Sequence, residues 1–198
     1  MSYGTNAPSG FNPVQKLDGS AWTGATNPYQ ITSTYATAIF RGDPVTTLAD
    51  GTLGVGVAGS ACVGVFWGVK WTDSTGRVRF ENYWPGNPGV LTGSTVEALV
   101  IDDPNVVFSV QETSNTGTAG TPLALADRGL NINFLYTAGS TSTGQSAVSL
   151  DNTTEATTST LNCKILQLDP LPGNAVGAFA NWYVTINNHL YRGGVTGV

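Results

Sequence analysis

From residue 63 to residue 84 the chain reads VGVFWGVKWTDSTGRVRFENYW, and apolar side chains return at every second position of its first arm. Val63, Val65, Trp67, Val69 and Trp71 therefore share one face of a predicted strand, with Gly64, Phe66, Gly68 and Lys70 on the other. The second arm, 77–84, sets Val78, Phe80, Asn82 and Trp84 against Arg77, Arg79, Glu81 and Tyr83. A polar linker, 72–76, joins the arms and ends in Gly76, which tolerates positive φ. Two alternating arms around such a linker predict a β-hairpin. Because it carries three of the five tryptophans, it is expected at the centre of the core.

The same period marks further strands at 35–41, 53–57, 95–101, 106–111, 130–136, 147–150, 161–168 and 182–187. Breakers separate them: Gly42-Asp43-Pro44, the YWPGNPG run at 83–89, Asp102-Asp103-Pro104-Asn105 and Asp169-Pro170-Leu171-Pro172-Gly173. Long loops are expected at 112–129, where only 123–127 has the pattern of a helical turn, and at 137–146. No long amphipathic helix and no fixed repeat interrupts this rhythm. The fold class is thus all-β, an antiparallel sandwich or barrel with long loops. Residues 1–30, rich in Asn, Pro, Gly and Thr, read as an extended N-terminal arm whose aromatics need a surface, this subunit's or a neighbour's. Residues 31–198 read as one β domain.

Composition narrows the function. Charged residues are only 11% of the chain, against the usual quarter, and 25 glycines with many Thr, Ser and Asn supply the polarity. Such a surface suits a protein covered by neighbours or one that works by adhesion. The net charge is −5 with scattered cations, so nucleic acid is excluded as a partner for want of a basic stripe. The opening MSYGTNAPSGFNP lacks a signal-peptide pattern, and no apolar run is long enough for a membrane helix. Synthesis in the cytosol is the expectation, with Cys62 and Cys163 as reduced core residues.

No motif promises catalysis. Gly54-Val55-Gly56-Val57-Ala58-Gly59 matches a dinucleotide fingerprint, but the following SACVGVFWGVKW alternates as a strand where the motif needs a helix. The single histidine, His189, has no nucleophile elbow to serve, and with two cysteines it shows no metal-ligand spacing. Asp102 and Asp103, with Glu81 or Glu97, are the only candidate carboxylate set, and before Pro104 the aspartates are expected as turn caps. The sequon Asn152-Thr153-Thr154 is expected to stay unmodified without a secretory route. Neither a cofactor nor a metal is expected. Arg77 and Arg79 form either a solvated strand face or a small cationic patch for an acidic neighbour. Candidate partner contacts are these two arginines with the aromatics Phe11, Trp22, Tyr29 and Trp84, the last placed in a loop and so expected to stay accessible.

The segments MSYGTNAPSGFNPVQ, YATAIFRGDPV, GVFWGVKWTDSTGRVRFENYWPG, VIDDPNVVFSVQ and VTINNHL resemble small virion structural proteins of tailed bacteriophages, the capsid decoration (cement) type. That resemblance covers most of the chain. It implies a non-enzymatic protein on the outside of the capsid, bound to the major capsid protein lattice and stabilising the head. It also implies a homotrimer, with the 1–30 arm and the long loops reaching across subunit boundaries. The competing class is a glycan- or receptor-binding β-module of a head or tail fibre, for which Trp84 and the Thr/Ser/Gly loops are the motivating features. A polysaccharide hydrolase resting on Glu81, Glu97, Asp102 and Asp103 ranks third.

Overall fold

Two long strands, Gly64–Thr72 and Val106–Thr113, each carry partners on both edges and organise the chain into two sheets. The computed structural model describes residues 4–192, so the first three residues of the 1–30 arm and the last six of the 31–198 domain lie outside the described residues. In chain order the strands are β1 (Asn12–Lys16), β2 (Asn27–Ile31), β3 (Ile39–Phe40), β4 (Pro44–Thr47) and β5 (Leu53–Val55). Then come β6 (Gly64–Thr72), β7 (Val78–Glu81), β8 (Tyr83–Trp84), β9 (Val96–Ile101) and β10 (Val106–Thr113). The set ends with β11 (Asn131–Ile132), β12 (Phe134–Leu135), β13 (Ser149–Asp151), β14 (Cys163–Leu168) and β15 (Asn181–Ile186). The only helical piece among the described residues is a single 3-10 turn at Leu125–Asp127, so the fold is all-β.

The first sheet runs β11-β14-β15-β10-β13-β12, with β1 also on β10. The free edge of β10 is shared: β1 pairs antiparallel with its first half, and β13 pairs parallel with its end through Glu112↔Leu150 and Thr113↔Asp151. The other named pairs are antiparallel. The second sheet runs β2-β9-β6-β4-β5, with β7 on β6, and β3-β8 form a small third pair. The stretch 130–136 does not form one strand. It breaks at Asn133, so β11 joins β14 while β12 joins β13.

The N-terminal segment lies on its own subunit. Pro13 and Pro28 are tolerated because β1 and β2 each pair along a single edge, where a missing N–H breaks no ladder. Phe11 is only 1% exposed and packs edge-on against Phe108 and Phe134, at 5.7 and 6.2 Å between ring centroids. The loop at 137–146 is likewise tied down. Gln145 donates through Nε2 to the carbonyl oxygens of Ser9 and Arg41, and Ser146 is buried.

A bulge in β6 corrects the period-two reading. The register against β9 shifts between Phe66 and Gly68, which sends flanking side chains to opposite sides. Val65 and Trp67 pack with one apolar cluster, which also holds Phe11, Phe108, Phe134 and Trp182. Phe66, Val69, Trp71 and Trp84 pack in the other. Each large side chain so buried contributes about 2–3 kcal/mol of transfer free energy.

Buried polar groups stitch these layers. The Glu112 carboxylate accepts from the Leu123 amide at 2.7 Å, from Asn152 Nδ2 at 3.1 Å and from Trp182 Nε1 at 3.1 Å. Burial pushes its pKa up, and those three donors pull it back. Asp43, also buried, accepts from the Phe40 amide at 2.8 Å and is pushed up to about 6, mainly by desolvation. His189 is buried too, its Nδ1 accepting from the Tyr191 amide at 3.1 Å, and desolvation followed by the Arg192 charge lowers it to about 4.

Candidate functional site

The hairpin of β6 and β7 pairs Val69 with Glu81, Lys70 with Phe80, Trp71 with Arg79 and Thr72 with Val78. Asp73 organises its tip. One carboxylate oxygen accepts from the Thr75 amide (3.0 Å), the Thr75 hydroxyl (2.6 Å) and the Arg77 amide (3.1 Å). The other accepts from Arg79 Nε at 2.9 Å. The Thr75 hydroxyl, first among these donors, holds the Asp73 carboxyl well below the usual carboxylate range. Gly76 sits at φ +83°, as the turn requires.

β7 runs past the core, and all four of its residues are exposed. Phe80 is 72% exposed and Val78 55%, which overturns the expectation that this arm forms the centre of the core. On the outer face of the second sheet, Gln30, Glu97, Lys70 and Phe80 line up across β2, β9, β6 and β7. Lys70 Nζ lies 3.4 Å from Glu97 and 6.0 Å from the Phe80 ring centroid. Pro28, Leu99 and Gly68 form the next row. The result is a sheet face with exposed Leu99, Phe80 and Val78 around one ion pair.

Behind β7 lies a groove of about 300 Å³, bounded by Trp71, Asp73, Arg79, Glu81, Tyr83 and Pro88 among others. Its aromatic side is braced from beneath: Trp71 meets Trp84 edge-on at 5.7 Å, and Tyr83 stacks on Phe40 at 5.6 Å. The Trp71 indole N–H is buried and has no hydrogen-bond partner among the described residues.

Of the six candidate contacts, only Arg77 and Arg79 belong to this surface and are exposed. Trp84 is fully buried, its Nε1 donating to the Tyr35 carbonyl at 2.9 Å, because β8 pairs with β3 and pulls the ring inward. Phe11 is buried as described, so neither aromatic is a contact surface. Trp22 packs edge-on to Trp67 at 5.1 Å, and the Arg41 guanidinium sits 3.7 Å over the Trp67 ring. The Tyr29 hydroxyl donates to Asp102 at 2.7 Å and shares a hydrogen bond with the Tyr191 hydroxyl; burial first, then these two bonds, raises its pKa. Sequence reasoning misses Leu99 and Phe80 as surface residues. The signal for Phe80 is the charge on both its neighbours, and for Leu99 its place with Glu97 opposite Val96, Ala98 and Val100 in the alternation of 95–101.

The carboxylates do not converge. Asp102 serves Asn27 and Tyr29, Asp103 pairs with Lys16 at 3.0 Å and caps Asn105, and Glu97 pairs with Lys70. The glycine motif at 54–59 runs off β5 into a loop that leads to β6. Among the described residues no group of three or more His, Cys, Asp or Glu is placed to hold a metal ion, and no helix is long and apolar enough to cross a membrane. Set against known proteins, the chain matches no family model, no curated protein and no solved structure.

Proposed function

We propose that the chain is a structural protein of a bacteriophage virion, of the capsid decoration type, binding the outer surface of the major capsid protein lattice. The observation that carries this reading is the uncovered sheet face: Leu99, Phe80 and Val78 exposed on a rigid, doubly cored β-body whose loops are pinned by their own hydrogen bonds. An exposed sheet face with a few apolar anchors and one central ion pair is suited to docking on a repeating protein surface, where contacts multiply over many copies. Mixing the protein with undecorated expanded capsids and imaging them tests it. Copies at defined lattice sites, lost with Leu99→Asp, are expected; an absence of ordered copies removes the proposal.

A second reading has its own observation. The groove behind β7 combines aromatic sides, an arginine and two carboxylates, the group types that hold a sugar. It predicts host-polysaccharide binding that weakens up to about tenfold with Tyr83→Ala, the scale of one lost stacking contact. Wild-type protein that retains no polysaccharide removes this reading.

A further inference from the structure

The open edge of β7 is self-complementary, and we propose that it pairs antiparallel with the same edge of a second copy across a two-fold axis at Phe80. The backbone sets the register. The Asp73 amide donates to the Arg77 carbonyl, closing the hairpin. Bonded pairs alternate with unbonded ones in an antiparallel ladder, so Trp71–Arg79 and Val69–Glu81 exchange hydrogen bonds, and Lys70–Phe80 does not. The Thr72 carbonyl, pointing away from β7, accepts from Leu91, in keeping with that alternation. The amides and carbonyls of Val78 and Phe80 therefore face outward along the free edge. A row of backbone groups with no partner among the described residues, beside a 72%-exposed phenylalanine, is a template for another strand.

The side chains select the occupant. With the axis at Phe80, each Phe80 amide meets the Phe80 carbonyl of the second copy, and the two rings lie side by side on the outer face. The neighbouring positions then set Arg79 against Glu81 of the second copy, and Glu81 against its Arg79. Both residues are exposed and share one strand face, so the junction carries four charges of alternating sign. Moving the axis to Arg79 would put like charges opposite each other and pair the backbone groups that β6 already uses. The net charge of −5 on each copy opposes association only weakly, because salt screens it beyond about 8 Å at physiological strength. This pairing uses the strand edge, leaves most of the sheet face free and does not depend on what that face binds.

Sedimentation velocity over a concentration series tests it. Wild-type protein should move to twice the 20.6 kDa chain mass as concentration rises. Arg79→Glu and Glu81→Arg should each weaken self-association at least about tenfold. An equimolar mixture of the two variants should restore it, since one variant then presents arginine at both positions and the other presents glutamate at both. Restoration in the mixture also shows that both variants are folded. Phe80→Pro, which removes the outward amide on an edge strand, should abolish pairing with the circular dichroism unchanged. Wild-type protein that stays at single-chain mass at millimolar concentration overturns the proposal, as does a dimer or trimer indifferent to these substitutions.

Discussion

The indole Nε1 of Trp182 donates to Glu112 at 3.1 Å, and both side chains are withdrawn from solvent. The same carboxylate holds the Leu123 amide, where the long loop returns to the body, and Asn152, just past β13. One buried acid thus fixes a strand of the first sheet, a loop and a turn.

Glu112→Ala leaves three buried donors without an acceptor and should lower unfolding free energy by about 3–5 kcal/mol. Glu112→Gln keeps the shape but turns an amide group towards donors on one side, and should cost about 1–3 kcal/mol. Urea denaturation of the three proteins checks the order.

Asp43 and His189 give opposite pH responses. The folded-state pKa of His189 is lowered to about 4 from 6.5, so the stability tied to its neutral form is complete above pH 6.5 and is lost as pH falls towards 4. Asp43 is raised from 3.8 to about 6, so stability tied to its protonated form is complete below pH 3.8 and is lost as pH rises through 6. Each is worth about 3 kcal/mol, and the two largely offset. His189→Gln should therefore make unfolding free energy fall from pH 4 to 6, and Asp43→Asn should make it rise over the same interval. Denaturant titrations at pH 4, 5, 6 and 7 decide it; parallel curves for both variants would refute it.

Gly64 and Gly76 should respond differently to alanine. A Cβ on Gly64 would collide with the Ile101 carbonyl and crowd Val100, between two central strands, and should cost about 3 kcal/mol. One on Gly76 meets nothing within 4 Å, leaving only the positive φ, worth about 1–2 kcal/mol. Thermal melts of the two variants rank them.

Both cysteines are buried and unpaired, and desolvation pushes the Cys62 thiol up to about 12 and Cys163 well above its ordinary value. Neither should react with a disulfide reagent in native protein at pH 8, and both should react once denaturant is added. Rapid labelling without denaturant would contradict their placement.

Period-two alternation discloses the hairpin and most strands, because a strand with one buried face writes that face directly into the chain. It does not show the bulge at residues 66–68, where one extra residue reverses the faces, so Val69 and Trp71 leave the side of Val65 and Trp67 that simple alternation assigns them and join Phe66. Nor does it show where a strand leaves the core: Val78 and Phe80 alternate like buried residues, yet every residue of their strand is exposed. The aromatics mislead in the other direction. Trp84 sits in a Pro/Gly-rich stretch, yet pairing with β3 buries it. Phe11 lies in a segment of weak propensity whose order comes from distant partners. The outer-face cluster is assembled across four strands, so no local pattern in the sequence announces it.

β1 and β2 leave the ribosome well before the strands that hold them. Beyond a local bridge from Gln15 to Ala21, β1 lacks its strand partner until Val106–Ser109 exists, and β2 waits for Val96–Val100. Such distant pairings slow a chain's collapse into its native form, since loop closure precedes any reward. Until then a stretch holding Phe11, Trp22 and Tyr29 stays bare, and the nascent protein is most exposed to capture by others of its kind while half made.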